Sequence, residues 1–274
     1  MPELPEVETI RRDLHGRLDR QTVCAVVLGR LRTLRRYTDP RAFVDELIGA
    51  TVSGTDRLGK YLFIDFGQST RLVIHLRMSG QLLWSNSIDA PVLKHTHIRI
   101  QFESGEELRF IDPRTFGEMF VVDPTGSDLS HVGPDAWTAV ATPKELARQI
   151  GSRRSPVKAV LLDQSVVAGI GSIYADEICF RAGVRPGRPA DSLRPIDIRR
   201  LHEAMKVVLG EAIAARGSTL NDGQYVGADG QPGTFANSHR VHARKGRPCL
   251  TCGQPIVSGT IAQRSAYWCK RCQR

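Results

Sequence analysis

From His239 to Arg274 the chain contains no aspartate or glutamate, yet eight lysines and arginines fall there: Arg240, Arg244, Lys245, Arg247, Arg264, Lys270, Arg271 and Arg274. The rest of the sequence is close to neutral, so most of the net charge of +9 belongs to this acid-free end. A field of one sign and that size suits a polyanionic partner. A second basic cluster, Arg30, Arg32, Arg35 and Arg36, follows the first apolar segment. Long apolar runs are also missing. None approaches the roughly 18–20 residues that a membrane span requires, and no basic stretch followed by an apolar segment opens the chain. These absences predict a cytosolic protein with no membrane partner. Repeats and low-complexity tracts are lacking too, and 41% hydrophobic with 24% charged residues is an ordinary globular balance. Cysteine is scarce outside one cluster. Cys24 and Cys179 stand alone among apolar neighbours and read as buried free thiols, so no disulfide framework is expected.

What is present divides the 274 residues into regions of different periodicity, and domains of roughly 100–200 residues make two the default. Pro5, Glu6 and Glu8 sit in the first turn of a predicted helix whose apolar face is Val7, Ile10, Leu14 and Leu18. Short alternating segments follow at 22–28, 50–55, 60–66, 71–76, 97–102, 107–111 and 118–122, which predicts an antiparallel sandwich or barrel. A Gly/Pro/Asp-rich stretch, 124–142, reads as a linker. Beyond it, spacings of three and four predict helices over 143–150, 157–163, 173–182 and 195–215. A glycine-rich loop, Gly217–Phe235, precedes the cysteine-rich end. The expected domains are therefore 1–123, helix plus β-sandwich; 143–238, helical; and 239–274, a metal-bound ribbon.

Cys249-x2-Cys252 and Cys269-x2-Cys272, with 16 residues between the pairs, are two knuckles that place four thiolates around one Zn²⁺. With sulfur at all four positions no site remains for an activated water, so the zinc is structural. Gly169-Ile170-Gly171 precedes Ser172-Ile173-Tyr174, and a Gly-rich turn opening a helix can cradle a phosphate. A tight helix-to-helix turn explains the same glycines more simply. If Met1 is removed, Pro2 becomes an N-terminal secondary amine. An α-amino group has a pKa of about 7.7–8.0 and is a usable nucleophile near neutral pH.

Six segments in order along the chain carry a specific resemblance: Met1-Pro2-Glu3-Leu4-Pro5-Glu6-Val7-Glu8-Thr9, Gly59-Lys60-Tyr61-Leu62, His75-Leu76-Arg77-Met78-Ser79-Gly80, Asp112-Pro113-Arg114-Thr115-Phe116-Gly117, Leu162-Asp163-Gln164 with 169–177, and Ala262-Gln263-Arg264 running into Cys269-x2-Cys272. Together they resemble formamidopyrimidine-DNA glycosylases. That resemblance implies an α+β multidomain fold: an N-terminal antiparallel β-sandwich, a helical domain with a helix-two-turn-helix, and a C-terminal zinc ribbon, with duplex DNA in the cleft. It implies excision of oxidised purines such as 8-oxoguanine and formamidopyrimidines, then strand cutting by β,δ-elimination. Pro2 would attack C1′ and form a Schiff base, and Glu3 would be the general acid. Lys60 would hold a phosphate and assist the first elimination, and Arg264 would assist the second. Met78, Arg114 and Phe116 would fill the space left by the everted base. His95, Arg154, Gly171 and Ser172 would contact phosphates, and the loop 218–236 would close over the base. The resemblance further implies a monomer associated with the bacterial nucleoid.

Three positions depart from the family pattern. Ser172 stands where Asn is usual, Arg77 replaces a Gly, and His242 replaces a Tyr. Two alternatives stay open. One is an endonuclease VIII-like glycosylase for oxidised pyrimidines, although Glu3-Leu4-Pro5 is closer to the formamidopyrimidine family. The other is a damage-binding protein with blocked catalysis, because a retained Met1 would lock the attacking nitrogen in a peptide bond.

Overall fold

The computed structural model describes residues 1–67, 70–123 and 127–274. The chain forms two compact units, Met1–Ser130 with Arg216–Thr234, and His131–Ala215 with Phe235–Arg274. The first three residues of the expected linker, 124–126, lie outside the described residues.

In the first unit, helix α1 (Leu4–Leu18) starts at a reciprocal cap in which Glu3 and Glu6 each bond the other's backbone N–H, with Pro5 in the first turn. Leu4, Val7, Ile10, Leu14 and Leu18 recur at three and four residues and are buried. Two four-stranded antiparallel sheets follow, in the orders β1-β6-β7-β5 and β2-β3-β4-β8. Their strands are β1 (Val23–Leu28), β2 (Val52–Leu58), β3 (Tyr61–Phe66), β4 (Thr70–His75), β5 (Gln81–Ser85), β6 (Thr96–Phe102), β7 (Glu107–Ile111) and β8 (Glu118–Val122). The core joins α1 to residues of both sheets, among them Leu62, Ile64, Leu72, Ile74, Ile98, Ile100 and Phe110. This is the sandwich that the alternation predicted.

Two features escaped the sequence reading. Strand β5 is short, but it alternates, with Leu82 and Trp84 buried. Helix α2 (Pro40–Asp45) is capped by Asp39 and buries Phe43. One expectation is overturned: Cys24 is exposed. Successive side chains of a strand face opposite sides, so with Val23 turned inward Cys24 faces outward despite its apolar neighbours. Cys179 is buried as expected, and burial pushes its thiol pKa upward.

The glycine-rich segment packs within this first unit. Tyr225 and Ala228 join its core, the Trp84 N–H donates to Ala228 O at 2.9 Å, and Arg216 grips Asp13 of α1 through both terminal nitrogens at 2.9 and 2.8 Å.

The second unit contains α3 (Pro143–Ile150), α4 (Val157–Leu162), α5 (Ser172–Ala182), α6 (Pro195–Ala214) and the hairpin β9 (Val257–Ile261) with β10 (Arg264–Trp268). Thr142 and Glu145 form the cap that starts α3, and Gly183 in the left-handed region ends α5. Residues 131–142 are packed here: Ala136 and Val140 are buried, and Asp135 accepts from the Trp137 and Thr138 N–H groups. No helix among the described residues is long and apolar enough to cross a membrane.

Candidate active site and nucleic-acid interface

Pro2 and Glu3 are not a frayed end. Pro2 is buried and Glu3 is only 2% exposed. The Glu3 N–H donates to Glu6 Oε2 at 2.8 Å, while Glu6 Oε1 accepts the Ser218 N–H at 2.7 Å. One carboxylate therefore serves both the start of α1 and the loop expected to close over the base. Glycine is required beside this contact: a Cβ on Gly217, whose φ is +79°, would come within 2.7 Å of Glu6 Oε1.

The next acid on the helix, Glu8, joins α1 to the turn bearing Lys60. Burial alone would raise its pKa, but hydrogen bonds from Arg11 and Arg12 and the charges of Arg11 and Arg57 outweigh burial and hold it at about 2. Arg57 donates to Glu8 Oε2 at 3.2 Å and to Gly59 O at 2.9 Å. Gly59, at φ +58°, and Lys60 form the two-residue β2–β3 turn, since Leu58 pairs with Tyr61. Lys60 is 7% exposed. Beside it His75 is kept neutral: burial, then the charges of Arg77 and Lys60, lower its pKa to about 3. Its Nδ1 accepts the Arg77 N–H at 3.0 Å.

The residues expected to fill the base vacancy stand on two loops organised by one buried acid. Asp112 accepts from Ser79 Oγ at 2.5 Å on the Met78 loop. It also accepts from the Arg114 N–H at 3.2 Å and the Gly117 N–H at 2.6 Å on its own loop. With their bases so fixed, Met78 and Phe116 stay 42% and 37% exposed, and the Arg114 guanidinium lies 4.7 Å from the centre of the Phe116 ring. Large apolar side chains held at the surface by a buried polar network fit intercalating wedges better than core residues. Arg77 and Thr115, which between them adjoin all three of these residues, have φ values of +54° and +55°. The usual glycine at position 77 is thereby explained, and arginine adopts the left-handed backbone here. Arg77 also approaches Glu118 at 3.6 Å, as Arg35 does, and Arg36 bonds it at 2.8 Å. His95 lies in the left-handed region too, at φ +68°, and its carbonyl accepts the Asp112 N–H, which brings it to the Arg114 loop.

In the second unit, Gln164 shapes the glycine turn by donating to Ile170 O at 2.8 Å and accepting from the Gly169 N–H at 2.9 Å. Gly171 caps α5 in an extended conformation. Arg154 is exposed ahead of α4. The Ser172 hydroxyl turns toward the ribbon, donating to Ser265 O at 3.2 Å and meeting Lys158 Nζ at 3.1 Å. Arg264 opens β10, exposed, directly after the turn Ala262-Gln263.

The four cluster cysteines offer sulfurs that all lie within 4.8 Å of one another. Cys249 and Cys272 Sγ are 3.9 Å apart, and Cys252 and Cys269 Sγ 3.4 Å. A tetrahedron with Zn–S bonds of about 2.3 Å has edges of about 3.8 Å, so the donors fit zinc. The neighbouring core is small, with Val241 and Ile256 as its buried apolar members besides the cysteines, as expected where metal replaces hydrophobic bulk. A separate recess of about 880 Å³ beside the C-terminal half of α5 holds none of the groups expected to react.

Family models cover nearly the whole chain: formamidopyrimidine-DNA glycosylase N-terminal domain over 1–119, formamidopyrimidine-DNA glycosylase H2TH domain over 132–223, and the zinc finger found in FPG and IleRS over 246–274. The chain belongs to the formamidopyrimidine-DNA glycosylase family. It is 43% identical over 278 residues to the formamidopyrimidine-DNA glycosylase of Geobacillus kaustophilus, covering 100% of both chains. Among solved structures it matches Lactococcus lactis Fpg in complex with DNA containing N7-benzyl-Fapy-dG, at 31% identity and a TM-score of 0.88 with both chains fully covered. It also matches the Lactococcus lactis Fpg complex with abasic-site DNA, at 31% identity, a TM-score of 0.89 and 99% coverage of each chain. As in the family, the fold joins antiparallel sheets, a helix-two-turn-helix unit and a four-cysteine site for one structural zinc.

Proposed function

We propose that this glycosylase excises oxidised purines from duplex DNA and then cuts the strand, with Pro2, Glu3, Lys60 and Arg264 as its catalytic residues. The supporting observation is the burial and capping of Pro2-Glu3 at the head of α1 in a member of this family. After loss of Met1, the Pro2 nitrogen attacks C1′ and the bond to the base breaks, its electron pair leaving with the base. Glu3 supplies a proton to the sugar oxygen so that the ring opens to an imine. Loss of a proton from C2′ expels the 3′ phosphate with assistance from Lys60, and loss of one from C4′ expels the 5′ phosphate with its charge met by Arg264. Water then hydrolyses the imine and frees Pro2. Met78, Arg114 and Phe116 occupy the vacated stack, while His95, Arg154, Gly171 and Ser172 hold the backbone. On this reading the protein acts as a cytoplasmic, nucleoid-associated monomer.

Borohydride added during turnover of an 8-oxoguanine:cytosine duplex should trap a covalent complex that maps to the N-terminal peptide. Glu3→Gln should bind normally and excise about 10²–10⁴-fold more slowly, the range for loss of a general acid. Faster excision of thymine glycol than of 8-oxoguanine would replace the purine reading with a pyrimidine one. A complex mapping to Lys60 would overturn Pro2 as nucleophile.

A further inference from the structure

We infer that Asp176 is the positioning residue for Arg264, acting through a buried hub that fixes the zinc hairpin on α5. This rests on the reading of Arg264 given above. Asp176 and Lys158 form an ion pair at 2.7 Å with both side chains 0% exposed. Burying two charges is costly unless every remaining donor and acceptor is used, and here the surplus bonds converge on the hairpin. Lys158 Nζ also donates to Ser265 O, the residue after Arg264, at 2.5 Å. Asp176 Oδ1 accepts the Tyr267 N–H at 3.3 Å. Its Oδ2 accepts from His242 Nδ1 at 2.9 Å, on the segment entering the ribbon. The next residue, Glu177, receives the backbone N–H groups of Arg240, Val241 and His242 at 2.9, 3.0 and 2.8 Å.

Two departures from the family pattern, Ser172 and His242, thus meet at one hub. The Ser172 hydroxyl is directed to Ser265 O and Lys158, not outward, so phosphate contact at this turn is left to the backbone. His242 supplies the ring nitrogen that occupies the second oxygen of Asp176. Between them they make the direction of Arg264 depend on a carboxylate one helical turn beyond Gly171. The step affected is the second elimination. A proton leaves C4′, the C5′–O bond breaks with its electron pair going to the phosphate, and Arg264 neutralises the departing charge without itself gaining or losing a proton.

The test uses the full-length protein, zinc-loaded, on an abasic duplex in single turnover, and measures 3′-phosphate against 3′-unsaturated aldehyde ends. Asp176→Asn should slow formation of the 3′-phosphate end by on the order of ten- to a hundredfold, as expected when a reacting group is misplaced by about 1 Å. First elimination and zinc content should stay as in the wild type. On an Arg264→Ala background the same change should add nothing. If Asp176→Asn does not fold, the paired change Lys158→Met with Asp176→Leu removes both charges at once, leaves no orphan within the pair, and carries the same expectation. Equal slowing of both eliminations, or an effect that persists without Arg264, would show a merely structural role and overturn the inference. A wild-type protein that stops after the first elimination would overturn the reading of Arg264 and this inference with it. Wild-type double elimination with an unchanged Asp176→Asn product ratio would overturn this inference alone.

Discussion

Two hairpin turns each deliver one cation assigned to the reaction, and they are built in opposite ways. The β2–β3 turn uses Gly59 for its left-handed residue and keeps Lys60 buried within the turn, fastened by Arg57 to Gly59 O and Glu8. The β9–β10 turn has no glycine. Ala262 and Gln263 take φ values of +48° and +59°, a mirror-image turn that normally calls for Asn-Gly and costs on the order of 1–3 kcal/mol for each non-glycine residue. Arg264 emerges from it exposed. The first turn is stable by local chemistry, and the second is held by its surroundings: the metal site on one side and the Lys158 hub on the other. On the proposed function the buried lysine serves the phosphate expelled first and the exposed arginine the phosphate expelled second.

The largest effect should come from a change that touches neither turn. An uncleaved tag, or any block that retains Met1, should abolish cleavage and borohydride trapping while zinc content and abasic-DNA affinity persist. Wild-type cleavage by a blocked protein would remove the step on which both cations act. Breaking the second turn's support comes next. Cys249→Ser should release zinc, disorder the hairpin and abolish abasic-DNA binding, and unchanged affinity in a verified zinc-free protein would show that the ribbon is not needed. Lys60→Ala probes the first turn: strand cleavage should fall more than affinity, and the slope of log affinity against log salt should lose about one unit of magnitude. A slope that does not move would place Lys60 away from phosphate. The smallest change sharpens the comparison. Gln263→Gly should relieve strain and raise stability by about 1 kcal/mol in thermal unfolding. A loss of stability would mean that this turn is not strained.

Much of this was visible in the sequence because it is periodic or spaced. The helix over Pro143–Ile150 is bounded by a cap and a glycine, and it appears where the threefold and fourfold spacing put it. The four cysteines declare a metal by spacing alone. Strand β5 was missed because five residues give too few alternations to stand out, and Cys24 was misplaced because the apolar run Val23–Leu28 does not show which of its alternating faces is buried. Asp112, Asp176 and Glu8 were invisible as organisers. Each takes a partner far off along the chain: Ser79 for Asp112, His242 and Tyr267 for Asp176, and Arg57 for Glu8. His242 was noticed only as a departure and Ser172 as a departure and an expected phosphate contact, and their contacts with the Lys158–Asp176 pair needed three-dimensional placement to emerge.

Asp112 leaves a mark on what the family can become. Its two carboxylate oxygens hold the Ser79 loop and the Arg114–Gly117 loop together, so Met78, Arg114 and Phe116 are inherited as a single character. On the proposed function, substitutions at the exposed tips of those loops would leave the Asp112 network intact. One loop cannot shift without the other, and the side-chain pair that ties them is Ser79 with Asp112, while Arg114 and Gly117 contribute only backbone N–H groups.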